Sequence, residues 1–202
     1  MRKGLVIGLG CLGLVAVIVF LAGSQYNRLV NLQEDVTAQW GQVENVYQRR
    51  ADLIPNLVAT VKGASSFEKD TLTQVVEARA RVGSIQATPQ LLNDPQAFQK
   101  FQQAQDGLSS ALSRLLVVSE QYPDLKSIAS YRDLMVELEG TENRIAVERR
   151  QFNEVAQSYN TRIARVPAAW FIGILRWPFK PKAYFTAQPG AAIAPKVDFG
   201  GR

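Results

Sequence analysis

Apolar side chains recur at steps of mostly three and four along the first third of the chain, at Leu29, Leu32, Val36, Trp40, Val43, Val46, Leu53, Leu57 and Val61. That spacing lines one face of an α-helix. Nothing between Gly23 and Pro55 stops such a helix, so it is expected to start in the preceding apolar segment and run to Gly63. Ser65-Ser66-Phe67-Glu68 has the Ser-x-x-Glu form of a capping box, and a second helix follows with Leu72, Val75, Val76, Val82 and Ile85 on its buried side. Asn93-Asp94-Pro95 starts a third, with Asp94 as cap and Pro95 at the first helical position; it carries Phe98, Phe101, Leu108, Leu112, Leu115 and Leu116. Beyond Tyr122-Pro123-Asp124-Leu125, a fourth helix is expected from Ser127 to about Val166. Its stripe is Ile128, Tyr131, Met135, Leu138, Ile145, Phe152, Ala156, Tyr159, Ile163 and Val166, and Pro167 ends it. No segment alternates with the period of a strand. Four amphipathic helices must bury their stripes against one another. The expected fold is therefore all-α, an antiparallel four-helix bundle with unequal helix lengths.

The segment ahead of the first stripe changes this picture. Residues 4–23 contain no charge, and about 20 residues at 1.5 Å rise span a bilayer core. The reading is a transmembrane anchor at residues 1–25 that continues as the first helix of a bundle at 26–166, with a tail at 167–202. A cleaved signal peptide competes, because Ala22-Gly23-Ser24 resembles a small-residue cleavage site. The long apolar run and the unbroken helix beyond it favour a retained, single-pass anchor. Gly4-xxx-Gly8 matches a small-residue helix contact, although ordinary glycine usage in membrane helices accounts for it. Arg2 and Lys3 before the anchor, against Arg28, Glu34 and Asp35 after it, place the bundle on the extracytoplasmic side by the positive-inside rule.

The stripes are not purely apolar. Glu142 and Arg149 continue the seam of the fourth helix, and Arg50 lies midway between Val43 and Leu57 on the first, flanked by Arg49 and Asp52. The second helix offers Glu77 and Arg79, the third Glu120. Charges on a core face cost several kcal/mol unless paired, so an internal ion-pair lattice is expected, linking helices one, two and four. It fixes register or, on the competing reading, tunes a catalytic carboxylate. Pro55 lacks an N–H and deprives the Ala51 carbonyl of its helical partner. The expectation is a local kink whose freed carbonyl finds a donor in Arg49, Arg50 or Asn56. A break and restart of the helix is the alternative.

Composition narrows the chemistry further. The chain has 202 residues, no histidine and one cysteine, Cys11, inside the apolar run. A zinc site and a disulfide framework are therefore not expected, and no cofactor is assigned. The net charge of +5 comes from scattered rather than clustered basic residues, so nucleic acid is not an expected partner. In the tail, Trp170, Phe171, Trp177 and Phe179 alternate with Arg176, Lys180 and Lys182. Aromatics with basic residues suit the headgroup region of a bilayer, and an up-down-up-down bundle returns the end of helix four to the membrane. Residues 170–182 are thus expected to dock at the interface, with folding back onto the bundle as the alternative. Residues after Tyr184 are rich in Pro, Gly and Ala and expected to be extended.

The blocks YNRLV (26–30), RRADLIPNLVATVKG (49–63), EARARV (77–82), LSRLLVVSEQYPDLK (112–126), ELEGTENRIAVERRQFNEV (137–155), YNTRI (159–163) and the closing YF and PKVDF resemble, in this order, the LemA family of bacterial membrane-anchored proteins. Tyr131 and Phe152 stand where Phe and Tyr are expected. The resemblance implies one N-terminal transmembrane helix and a helical bundle, and no catalytic residues. It also implies a bundle in the cytoplasm, opposite to the charge reading. The functional expectation is a non-enzymatic scaffold or adaptor at the bacterial inner membrane, in contact with lipid, with unidentified protein partners and with other copies of itself. The alternatives are a regulator or weak enzyme using the Arg/Glu cluster, and a coat or remodelling protein acting through the tail.

Overall fold

The computed structural model describes residues 2–63 and 68–186, residues 2–7 by their backbone alone. The Ser65-to-Phe67 part of the expected capping box, the side chain environment of Gly4 and the segment 187–202 lie outside the described residues. Helix α1 is Arg2–Gly63, α2 Lys69–Gly83, α3 Pro95–Ser119, α4 Pro123–Ser127, α5 Ala129–Ala164 and α6 Ala168–Leu175, with a 3-10 turn at Pro89–Asn93. Among the described residues there is no strand.

α1 runs 62 residues without interruption, through Pro55, or roughly 90 Å at 1.5 Å per residue. Its apolar N-terminal part is long and apolar enough to cross a membrane and packs on nothing: Leu12, Leu14 and Phe20 are all more than 60% exposed. From Leu29 onward the same helix turns its stripe into the bundle, where Leu29, Val36, Trp40, Val43 and Leu57 are fully buried. α3 starts as its sequence requires, with Asp94 Oδ1 accepting from the N–H groups of Gln96 (2.9 Å) and Ala97 (3.1 Å).

Cross-helix pairs give the directions. Gln39 reaches Glu148, Arg49 reaches Glu137 and Arg162 reaches Gln25, so α5 runs antiparallel to α1. Trp40 meets Phe98, and Arg50 meets Gln105, so α3 runs parallel to α1. α1, α2, α3 and α5 form the expected up-down-up-down bundle of unequal helices. Several details differ from the sequence expectation: Val76 (47%) and Leu116 (42%), assigned to buried stripes, are exposed, and a short helix, α6, follows α5. A single turn, α4, precedes α5, which starts at Ala129 rather than Ser127. Val166, assigned to the buried stripe, is 57% exposed because the helix stops two residues before it.

Unequal lengths divide the core into two storeys. The far storey holds Leu53, Leu57, Val61, Leu72, Val75, Leu108, Leu115 and Leu138, where all four helices are present. In the storey nearer the apolar segment, α2 has already ended. Its place is filled by Leu91 and Leu92 of the 3-10 turn and by Phe179 and Phe185 of the tail, packed around Trp40, Phe98, Phe101 and Phe152. The Trp40 indole donates to the Ala87 carbonyl (3.1 Å) and so ties down the segment that leaves α2.

Candidate functional site: a polar layer between the two storeys

Arg50 is fully buried between the two apolar clusters. Its Nη1 donates to Glu142 Oε1 (2.5 Å) and Ser109 Oγ (2.7 Å), and its Nη2 to the side chain oxygen of Gln105 and to the Gln105 carbonyl (3.3 Å). One turn nearer the apolar segment, Arg149 donates through Nη2 to Asp106 Oδ1 (2.8 Å) and through Nε to the Tyr47 hydroxyl (2.5 Å). The Tyr47 ring links the two groups, with the Arg50 and Arg149 guanidinium carbons 5.2 and 5.6 Å from its centroid. Burial pushes the Tyr47 hydroxyl up to about 12, against the pull of both cations. It therefore stays protonated at any physiological pH and is no base. Two arginines face two carboxylates, so the layer is formally neutral. Multiple charge-assisted hydrogen bonds offset the desolvation that isolated buried charges would suffer.

The layer joins α1, α3 and α5, not helices one, two and four. α2 runs past this level but turns Thr71, Leu72, Val75 and Ala78 into the bundle, leaving Glu77 and Arg79 on its exposed face. Glu77 is exposed, with no ion pair among the described residues. Glu120 pairs with Lys126 at the surface, Asp52 takes a hydrogen bond from Gln48 in water, and Arg49 forms an exposed bridge to Glu137. These four stand outside the layer. Arg149 is partly buried and also forms part of the wall of a surface groove of about 690 Å³, with Asn153, Tyr184 and Thr186. Tyr47, Gln105, Asp106 and Ser109 are the members that sequence reading missed. Gln105 carried a signal, because it follows Phe101 by four and precedes Leu108 by three on the apolar stripe.

Arg79 has a different role from the one expected. Its Nε donates to the Ala51 carbonyl (3.0 Å), the acceptor that Pro55 deprives of its helical partner. The donor comes from the neighbouring helix rather than from Arg49, Arg50 or Asn56, and α1 continues unbroken. Replacing Arg79 by alanine is expected to cost about 1 kcal/mol in urea unfolding. In a Pro55→Ala chain, where residue 55 supplies its own N–H, the same change is expected to cost nearly nothing. Additive effects in that double-mutant cycle would contradict the pairing.

After α6 the chain turns at Arg176, which adopts the left-handed conformation (φ 51°), and runs back along the bundle. Three side chain amides clamp this strap by reading both the N–H and C=O of one residue each. Asn160 binds Lys182 (2.8 and 2.8 Å), Asn153 binds Phe185 (2.8 and 2.9 Å), and Gln102 binds Thr186 (2.6 and 3.1 Å). The Ala183 N–H adds a bond to the Leu92 carbonyl (3.1 Å).

The sequence profile described as the LemA family matches residues 39–199, which takes in all of the polar layer and the strap. The chain belongs to the LemA family. It is 32% identical to Magnetosome protein MamQ 2 of Paramagnetospirillum magneticum, over 93% of this chain and 75% of that protein. It is 31% identical to Magnetosome protein MamQ of Magnetospirillum gryphiswaldense, over 96% and 77%, and 23% identical to Protein LemA of Metamycoplasma hominis, over 74% and 64%.

In this LemA-family chain the tail residues assigned to a membrane interface separate into two groups. Phe179 is buried, and Trp177 packs edge-on against Tyr26 (5.2 Å between centroids). Phe171 stacks on Trp177 at 5.7 Å. Lys182 lies in the strap, its Nζ on Asn93 Oδ1 (2.7 Å) and 5.6 Å from the Tyr159 centroid, with burial pulling its ammonium below the usual range. Phe179 is therefore inside the bundle, while Phe171, Trp177 and Lys182 are half-buried against it. The fold-back alternative describes them, because the missing length of α2 leaves an apolar groove that the strap fills. Trp170, Arg176 and Lys180 remain exposed, as do Ile174 (78%) and Leu175 (51%) of α6.

Proposed function

We propose that this LemA-family protein is a single-pass, membrane-tethered scaffold that holds a rigid bundle at a fixed height above the bilayer for protein partners. One observation carries the reading: the apolar segment and the first bundle helix are the same unbroken 62-residue helix. A joint without a hinge transmits position and orientation from the bilayer to the bundle, which an adaptor needs and a freely tethered enzyme does not. The polar layer supports the same reading, since its charged groups are spent on one another. Exposed Val117 (69%) and Val136 (71%), on α3 and α5 of the far storey, offer apolar contacts away from the membrane. Phe179 and Phe185, buried in the bundle, are unavailable to a coat-forming tail.

Crosslinking in native membranes followed by mass spectrometry tests the proposal. Discrete protein neighbours, retained when Val117 and Val136 are unchanged and lost when both become lysine, are the expected result. Recovery of no protein neighbour above background would overturn it.

A further inference from the structure

Between α1 and α5, where the bundle meets the apolar segment, lies a cavity of about 370 Å³ lined by Arg28, Leu32, Gln157, Ser158, Thr161, Arg162 and Arg165. Three of its seven residues are arginines and none is a carboxylate. Neither Arg28 nor Arg165 has an ion pair among the described residues. Arg162 donates through Nη2 to Gln25, while its Nε is buried with no partner. Three cations sharing one wall repel one another, and no carboxylate among the described residues pairs with them. The Thr161 hydroxyl is a further donor.

Height selects the ligand. The apolar run ends at Gly23, so Arg28 sits about 7.5 Å further along the helix axis. The headgroup region adds roughly 5–7 Å on each side of a hydrocarbon core about 30 Å thick. Arg162 is fastened to Gln25, at the same level. Beside this groove, directly after Arg165, α6 exposes Trp170, Ile174 and Leu175, side chains suited to the interface just below the phosphates. Guanidinium forks match phosphate oxygens in geometry as well as charge. We infer that the Arg28–Arg162–Arg165 groove binds the headgroup phosphate of one anionic phospholipid in the adjoining leaflet. This inference rests on the anchored reading above, and it adds a defined lipid site to it.

The test uses the full chain in nanodiscs of phosphatidylcholine with one fifth phosphatidylglycerol, and native mass spectrometry to count retained lipid. The parent protein is expected to keep one phosphatidylglycerol. The double substitution Arg28→Gln/Arg165→Gln, at two exposed positions that leave the fold intact, is expected to lower that occupancy about tenfold or more, and adding Arg162→Gln to abolish it. Arg81→Gln/Arg132→Gln removes the same charge from exposed sites elsewhere and is expected to change nothing. Equal retention in parent and double variant would overturn the site, as would displacement of the lipid by millimolar inorganic phosphate, which would make the ligand a free anion. Flotation with liposomes separates the two levels: a chain that fails to float sinks the anchored reading and the lipid site with it, whereas one that floats without selective lipid sinks the site alone.

Discussion

Replacing Glu142 by leucine is expected to lower the unfolding midpoint of the bundle by about 6–12 °C, read by circular dichroism in detergent. The change strands the Arg50 guanidinium, which is fully buried, without its counter-charge. Breaking a buried pair costs about 3–5 kcal/mol. The Glu142 side chain keeps 37% exposure, so water compensates part of the loss and the lower end applies. For a domain of this size each kcal/mol moves the midpoint by about 2–4 °C. Adding Arg50→Met is expected to restore most of the loss, because the second change removes the stranded cation and its desolvation together. Recovery would mark the layer as a device for register and specificity. A catalytic carboxylate would behave in the opposite way, with the fold unchanged and turnover lost on Glu142→Gln.

Phe185→Ala is the second large effect, expected to cost about 3–5 kcal/mol as a buried Phe truncation. The ring is 7% exposed, and its centroid lies 4.9 Å from Phe98, 5.6 Å from Phe152 and 6.2 Å from Trp40. It also lies under the Arg149 guanidinium at 4.9 Å, so its loss reaches the polar layer. Trp40 is fully buried and reports the change directly: its emission is expected to shift to longer wavelength. Trypsin is expected to cut after Lys182 at a concentration that leaves the parent chain intact; the Lys180–Pro181 bond resists it. Asn153→Ala, which removes only the clamp on Phe185, is expected to do the same more weakly. If Phe185→Ala left midpoint and emission unchanged, the strap would be a surface ornament and the near storey would be closed by something else.

Helix positions and most buried residues were readable because they depend on local periodicity. The stripe of α1 from Leu29 to Val61, the Asp94-Pro95 start of α3 and the stripe of α5 up to Ile163 required no knowledge of neighbours. Arg50 was readable too, as a charge in an apolar seam. Its partners were not: Gln105, Ser109 and Asp106 meet Arg50 and Arg149 only because α3 packs parallel to α1 at one register. Glu77 and Glu120 look equivalent to Glu142 on the page, yet Glu77 lies on the exposed face of α2 and Glu120 at the exposed end of α3. The tail was the largest difference. Aromatic and basic residues in alternation suit a bilayer surface and an apolar groove equally well, since composition does not record which surface is nearer.

By itself, then, the chain's pattern determined the all-helical class, the apolar segment fused to the first helix, the family and the presence of charge within the core. Each follows from spacing or from a run of one character, which neighbouring residues alone can express. Only the tertiary structure decided that Arg79 serves the carbonyl freed by Pro55, that the polar layer spans α1, α3 and α5, and that the strap completes a storey α2 does not reach. Those outcomes depend on where helices of different lengths stop once packed, a property of distances between segments far apart in the chain.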